Sequence, residues 1–172
     1  MNYRTDKFTG HQYLEVYNQL FTPRKESAKN ILEIGIQNGG SMQLWNDYFL
    51  QAHIHGADII PLPLDFILTD RMTHHIGNAY TVDFIQDNFS KILFDIIIDD
   101  GPHSLESFIF FAKHYSSIIA PGGVMIIEDI PSIDWTIQII NTFPPDMKSK
   151  TRIVDNRYIN NRWDDILVVL NA

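Results

Sequence analysis

The 172-residue sequence contains no cysteine. A chain without cysteine forms no disulfide, builds no thiolate zinc site and has no cysteine nucleophile. Long apolar runs are also missing, because the run Ile96–Ile98 falls far short of the ~20 residues that a membrane span requires. The first residues lack the apolar stretch of a signal peptide. We therefore expect a cytoplasmic protein with no membrane partner.

A basic stripe is missing as well. The chain has 13 Lys and Arg against 21 Asp and Glu, a formal net charge of −8, and its basic residues are scattered. Proteins that bind nucleic acid draw most of their affinity from clustered basic residues, so we expect no nucleic-acid partner. The chain length fits one domain over residues 1–172, in which residues 1–25 form an N-terminal helical segment.

Short apolar runs alternate with stretches of helical spacing, which predicts an α/β fold. Runs that are apolar throughout indicate parallel strands covered on both faces. The last two runs are joined by the short polar segment 155–165, which favours an antiparallel pair. The prediction is a Rossmann-like, seven-stranded, mostly parallel sheet with helices on both faces and a C-terminal antiparallel hairpin. The predicted strands are 30–35, 53–58, 73–76, 94–99, 124–127, 151–154 and 166–170, and the predicted helices are 10–21, one capped by Ser41, and 105–119.

The loop after the first predicted strand has the pattern G-x-x-x-G-G, with Glu33 two residues before its first glycine. Glycines allow the backbone to approach a ligand closely, and a carboxylate at Glu33 suits the amino group of S-adenosylmethionine better than a dinucleotide. Asp58, at the end of the second strand, can bind both ribose hydroxyls, and Asn78 is predicted near the adenine. A glycine-rich turn can also be purely structural. The predicted cofactor-binding residues are Glu33, Gly35, Gly39, Ser41, Asp58, Asn78 and Asp99.

Acids follow two neighbouring strands in the sequence, Asp99 and Asp100 after one, Glu128 and Asp129 after the next. Neighbouring strands lie about 4.8 Å apart, so these acids can converge and then need a cation. We predict that Asp100, Glu128 and Asp129 bind Mg²⁺, which prefers oxygen ligands. His103, three residues after Asp100, is then the candidate base for a hydroxyl that attacks a sulfonium methyl group, which makes Asp100 and His103 the catalytic pair. The plainer interpretation is that acids at strand ends are common because loops are polar.

These motifs carry a family resemblance. The segments 99–103 (DDGPH), 121–123 (PGG) and 127–130 (IEDI) resemble the macrocin/mycinamicin-type sugar O-methyltransferases, a family of class I methyltransferases. Asp6-Lys7 with His11 and Tyr13 and the segment 32–45 are similar to that family too. The resemblance implies S-adenosylmethionine as methyl donor, Mg²⁺ on the three acids named above, and His103 as general base. Pro102 departs from the family, which commonly has serine there.

The leading hypothesis is a Mg²⁺-assisted O-methyltransferase that acts on a hydroxyl of a small molecule, a sugar or glycoside. A catechol or phenol O-methyltransferase and a non-catalytic S-adenosylmethionine-binding module remain open. We expect a homodimer. The pairs His53/His55 and His74/His75 are predicted to be structural, because no further metal ligands stand beside them.

Overall fold

The computed structural model describes residues 3–5, 7, 11 and 13–172. In this part of the chain, seven strands form a sheet with the order β3-β2-β1-β4-β5-β7-β6. The strands are β1 Asn30–Ile34, β2 His53–Asp58, β3 Met72–Ile76, β4 Phe94–Asp99, β5 Ile119–Ile127, β6 Thr151–Asp155 and β7 Ile166–Asn171. The helices are α1 Leu14–Phe21, α2 Gly40–Tyr48, α3 Val82–Phe89, α4 Leu105–His114, α5 Ile133–Thr142, α6 Pro145–Lys148 and α7 Arg157–Asn160, with short 3₁₀ turns at Thr22–Arg24 and Tyr115–Ser117.

The buried core consists of two clusters, one on each face of the sheet, and strand β4 contributes to both. Its residues Ile96 and Ile98 pack into one buried cluster and Ile97 into another, as the alternation of side chains along a strand requires. The first cluster includes side chains of α1 and α2, and the second includes side chains of α3, α4 and α5. Helices therefore cover both faces of the sheet. Among the described residues, no helix has the length and apolar composition needed to cross a membrane.

The C-terminal hairpin has the predicted form. Strand β7 pairs antiparallel with both β5 and β6, whereas the strands from β3 to β5 pair in parallel. The segment between β6 and β7 contains the one-turn helix α7. The predicted fold class, a mostly parallel seven-stranded sheet with an antiparallel end, is confirmed.

Three local predictions were wrong. Ser41 does not cap α2, because Gly39 takes the cap position in a left-handed conformation and Ser41 lies buried in the first turn. The predicted helix 105–119 ends at His114. Residues 120–123 belong to β5 instead of closing that helix, because the N–H of Gly122 donates to the carbonyl of Ala172 and the carbonyl of Gly123 accepts from the N–H of Ala172. Helix α1 begins at Leu14, and Gly10 and Gln12 of the predicted helix lie outside the described residues.

Three histidines of β2 and β3, His53, His55 and His75, contact one another at the edge of the sheet. His55 Nδ1 lies 3.1 Å from His75 Nε2, and His75 Nδ1 lies 3.0 Å from the Asn88 side-chain oxygen. His53 Nε2 lies 2.7 Å from the Thr73 hydroxyl. These contacts support the structural role that the sequence predicts for them.

This cluster generates a pH prediction. Burial, helped by the neighbouring histidines, lowers the pKa of His55 to about 4. The unfolded chain therefore binds this proton at a higher pH than the folded chain does, and the free energy of unfolding falls as pH falls from the unfolded pKa of about 6.5 towards 4. We expect His55 to cost about 2 kcal/mol between about pH 7.5 and about pH 5. Urea denaturation of the native chain and of His55→Gln at both pH values measures this. An equal pH dependence in the two proteins would contradict it.

Candidate functional site

Two adjoining cavities open where β1, β2 and β4 end. One has a volume of about 430 Å³ and the other about 410 Å³. Gly35, Gln37 and Asp100 line both of them. Open α/β sheets bind their ligands at this edge, beyond the carboxyl ends of the strands. The two cavities differ in chemistry, and we call them the apolar cavity and the acidic cavity.

The apolar cavity, of about 410 Å³, brings together three of the predicted cofactor residues, Gly35, Asp58 and Asn78. The carboxylate of Asp58 is held in place, since it accepts hydrogen bonds from the backbone N–H groups of Gln37 (2.8 Å) and Ile60 (3.1 Å). Ile60 also lines the cavity as an exposed apolar side chain. An acid beside apolar walls is the combination that a ribose with its flat base requires.

Gly35 lets the β1 loop pass directly against the Asp100 loop. Its φ of +86° lies in the left-handed region, and a Cβ atom there would overlap the carbonyl oxygen of Asp100. The N–H of Asp100 in turn donates to the carbonyl of Ile34 at 2.9 Å. Ser41 also lines the acidic cavity. Gly39 does not line either cavity, and a Cβ atom there would meet side chains of the 59–71 loop.

Two predicted cofactor residues, Glu33 and Asp99, are fully buried and line neither cavity. Glu33 accepts a hydrogen bond from the indole N–H of Trp45 at 2.9 Å. Asp99 accepts hydrogen bonds from the Tyr80 hydroxyl and from a backbone N–H, and burial raises its pKa to about 7. Their contacts in the structure are internal, so their role towards a cofactor stays a prediction.

The acidic cavity, of about 430 Å³, holds Asp100, His103 and Asp129, and one ligand atom from each lies within 4.8 Å of the others. His103 Nε2 lies 3.3 Å from Asp100 Oδ1 and 3.8 Å from Asp129 Oδ2. The three residues come from the ends of the paired strands β4 and β5, as the sequence predicts. Glu128 is not among the converging side chains.

His103 and Asp129 both adopt the left-handed backbone conformation, each with φ of 53°. This conformation costs a non-glycine residue on the order of 1–3 kcal/mol and is concentrated at functional sites. Strand β5 ends just before this turn. The N–H of Glu128 still donates to the carbonyl of Asp99 in β4, whereas the N–H of Ile130 donates to the carbonyl of Ile166 in β7. The two adjacent acids then have different partners.

Lys7 is the residue that the sequence analysis missed. Its side chain is 2% exposed, and its ammonium lies 2.5 Å from Asp100 Oδ2, 2.5 Å from Glu128 Oε2 and 3.2 Å from Glu33 Oε1. Burial alone would lower the pKa of Lys7, but the charges of these acids outweigh it and hold the pKa well above its ordinary value. The Asp6-Lys7 motif of the resemblance was its only signal, and Asp6 lies outside the described residues.

Two of the predicted metal ligands, Asp100 and Asp129, have pKa values shifted in opposite directions, and the charge of Lys7 acts on the first. Burial would raise the pKa of Asp100, but Lys7 and a hydrogen bond with His103 bring it below its usual value. Asp129 shows the opposite, since burial and the charges of Glu128 and Asp100 raise its pKa to about 7. The negative charge of Asp129 is therefore compensated less fully than that of Asp100, and such a charge favours a further cation.

Two more side chains from the N-terminal segment reach Asp129. The hydroxyl of Tyr13 donates to Asp129 Oδ1, and His11 Nδ1 lies 3.1 Å from the same oxygen. His11 Nδ1 also lies 2.7 Å from Asp165 Oδ1, just before β7. Both Tyr13 and His11 are buried, so Asp129 is held from the protein side.

Sequence comparison finds curated sugar O-methyltransferases among the relatives. The 8-demethyl-8-alpha-L-rhamnosyl tetracenomycin-C 2'-O-methyltransferase of Streptomyces olivaceus is 26% identical over 150 residues, 78% of this chain and 37% of the relative. The mycinamicin VI 2''-O-methyltransferase of Micromonospora griseorubida is 29% identical over 146 residues, 77% of this chain and 35% of the relative. The chain resembles the macrocin/mycinamicin-type sugar O-methyltransferases. It spans little more than a third of the length of these relatives.

The structural comparison concerns the fold. The MycE methyltransferase of the mycinamycin biosynthetic pathway, solved in complex with Mg, SAH and mycinamycin VI, matches with a TM-score of 0.78 and 19% identity. The match covers 97% of this chain and 50% of MycE. It confirms the predicted Rossmann-like, mostly parallel sheet with a C-terminal antiparallel hairpin. No family model matches the chain.

The contact between the Gly35 and Asp100 loops generates a prediction. Gly35→Ala adds a Cβ atom that the Asp100 backbone must move to accept, so we expect affinity for S-adenosylmethionine to fall at least about 10-fold, or about 1.4 kcal/mol. Gly122→Ala is the matched control. Gly122 has a similar φ of +78° but open space around its Cβ position, so its cost is limited to about 1 kcal/mol of backbone strain. Calorimetric titration and thermal denaturation of both variants test this. Equal cofactor affinities would contradict the close approach.

Proposed function

We propose that this chain is an S-adenosylmethionine-dependent, Mg²⁺-assisted O-methyltransferase that acts on a hydroxyl of a small molecule, a sugar or glycoside. The observation that carries the proposal is the junction of the two cavities at Gly35 and Asp100. A nucleoside in the apolar cavity would have its reactive end directed towards the acids and the imidazole of the acidic cavity. The relatives named above support the same reaction class.

In this proposal the apolar cavity binds the adenosine part of the cofactor. Asp58 accepts hydrogen bonds from the ribose hydroxyls, and Asn78 lies at the adenine. The backbone at Gly35, together with Ser41, faces the methionine part. Glu33 can bind the amino group of the cofactor only if its ion pair with Lys7 breaks, because both side chains of that pair are buried.

The acidic cavity fits a hard divalent cation. Asp100 and Asp129 supply oxygen ligands, and the raised pKa of Asp129 reflects negative charge that its described contacts leave incompletely balanced. These two residues would hold Mg²⁺, while Glu128, the third predicted ligand, is engaged by Lys7. When bound, the ion lowers the pKa of a hydroxyl that it contacts. MycE was solved in complex with Mg and SAH, which supports a metal ion beside the cofactor here.

His103 is the proposed general base. Its contact with Asp100 at 3.3 Å orients the ring. Burial would lower the pKa of His103, but the hydrogen bond with Asp100 and the charge of Asp129 outweigh it, so the pKa is raised. The neutral imidazole of His103 takes the hydroxyl proton at a ring nitrogen without hydrogen as the oxygen bonds to the methyl carbon, and the electrons of the carbon–sulfur bond pass to sulfur. The products are a methyl ether and S-adenosylhomocysteine.

The lining of the acidic cavity favours a sugar over a catechol. Among the described residues that line it, the only aromatic rings are the imidazoles of His11 and His103. A catechol needs flat apolar walls, whereas a sugar needs many hydrogen-bonding partners. Such partners surround the cavity: Arg4, Thr5, Gln37, Arg162 and Asp164.

The first test is turnover. Purified protein with S-adenosylmethionine and Mg²⁺ is offered a panel of rhamnosides and a panel of catechols, and S-adenosylhomocysteine is measured by mass spectrometry. We expect methylation of a glycoside, and a loss of at least about 100-fold in His103→Ala with cofactor affinity kept within about 2-fold. His114→Ala, at the far end of α4, is the matched control and should keep full activity.

The outcomes of this test are separable. A fully active His103→Ala variant would remove the base assignment and leave the reaction class intact. Methylation restricted to catechols would overturn the acceptor class. A chain that fails to bind S-adenosylmethionine in calorimetry would contradict the proposed function as a whole.

A further inference from the structure

We propose that Lys7, His11 and Tyr13 are positioning residues that each bind one oxygen of a carboxylate of the acidic cavity and so present its other oxygen to the cation. The sequence analysis gave these residues no role of their own. The inference rests on the metal-binding part of the proposed function. It is carried by which oxygen of each acid is occupied.

At Asp100, the two oxygens have different partners. Oδ2 lies 2.5 Å from the Lys7 ammonium, and Oδ1 lies 3.3 Å from His103 Nε2. The ammonium is buried, whereas the Asp100 side chain is 22% exposed and lines the cavity. A buried ion pair with hydrogen-bond geometry fixes the side chain in one rotamer, which leaves Oδ1 on the cavity side.

At Asp129 too, the two carboxylate oxygens have different partners. Oδ1 accepts a hydrogen bond from the Tyr13 hydroxyl and lies 3.1 Å from His11 Nδ1. Oδ2 is the oxygen nearer to His103, at 3.8 Å from Nε2. His11 is anchored in turn, since its Nδ1 lies 2.7 Å from the fully buried Asp165.

The result is a pair of oxygens, Asp100 Oδ1 and Asp129 Oδ2, that both face His103. Residues that hold metal ligands from behind commonly change metal affinity 10–100-fold when they are removed. The three positioning residues come from one short segment that precedes α1, and the acids come from the ends of β4 and β5. Lys7, His11 and Tyr13 therefore connect this segment to the ends of β4 and β5, which carry the proposed metal ligands.

The test is Tyr13→Phe, which removes only the hydroxyl that donates to Asp129. The ring remains, with its stacking on His11 at 4.9 Å between centroids. We expect the affinity for Mg²⁺, measured by calorimetry in the presence of S-adenosylhomocysteine, to fall about 10-fold. Affinity for S-adenosylhomocysteine itself should stay within about 2-fold, because Tyr13 lines neither cavity.

Tyr17→Phe is the matched control. Tyr17 lies one turn further along α1, and its ring packs against those of Tyr13, Phe21 and Trp45. This variant also loses a buried hydroxyl, so a general loss of stability would appear in both variants. We expect its Mg²⁺ affinity to equal that of the native chain.

A second variant, Lys7→Met, keeps the aliphatic length and removes the charge. Positioning predicts weaker Mg²⁺ binding than in the native chain. Tighter binding would mean that the ammonium competes with the ion for Asp100 and Glu128, and would overturn the inference for Lys7. If the native chain binds Mg²⁺ and Tyr13→Phe binds it equally well, the inference fails while the proposed function stands. If the native chain binds no Mg²⁺, the metal-binding part of the proposed function fails, and this inference fails with it.

Discussion

Parallel strands bring their carboxyl ends to one edge of a sheet, and here β4 and β5 both run into paired acids there. The register sets Asp99 beside Ile127 and Ile34, so Asp100 and Glu128 follow directly on neighbouring strands. Crowded carboxylates at low exposure repel one another strongly unless a positive charge or a proton lies between them. The ion pairs and hydrogen bonds that surround these acids offset that repulsion.

Four of the acids around the site have a donor within the chain. Glu33 has the indole of Trp45, Asp99 has the hydroxyl of Tyr80, and Asp100 and Glu128 share Lys7. Asp129 accepts a hydrogen bond from the Tyr13 hydroxyl instead, and burial together with the charges of Glu128 and Asp100 raises its pKa to about 7. Lys7 compensates the charge of Asp100, whereas the charge of Asp129 is balanced less fully. That difference is what gives the acidic cavity its affinity for a cation in the account proposed above.

The strands and the acids at their ends could be predicted from the sequence, because apolar runs and strand-end carboxylates are local patterns. The cap of α2 and the end of α4 could not, since Gly39 and the residues around Gly122 depend on backbone conformations and on pairing with the far end of the chain. Lys7 was missed for a related reason. Its two closest partners are 93 and 121 residues away, and no periodicity connects them. The resemblance alone marked the segment.

The residues of the candidate site could likewise be predicted only in part. The sequence predicted Asp100, His103 and Asp129 as a group, and the structure brings them together. It placed Glu128 with them because the residue adjoins Asp129. The left-handed conformation of Asp129 instead sends these two side chains to different partners, and single-residue backbone conformations of this kind are not encoded in local propensity.

The central claim is that Asp100 and Asp129 form a cation site beside a cofactor cleft. Crystals grown with S-adenosylhomocysteine and Mn²⁺, measured at the manganese absorption edge, test it most directly. The account predicts one anomalous peak within about 2.2 Å of Asp100 Oδ1 and Asp129 Oδ2, with Lys7 still on the opposite oxygen of Asp100. A structure with the nucleoside bound and no peak between these acids would contradict it.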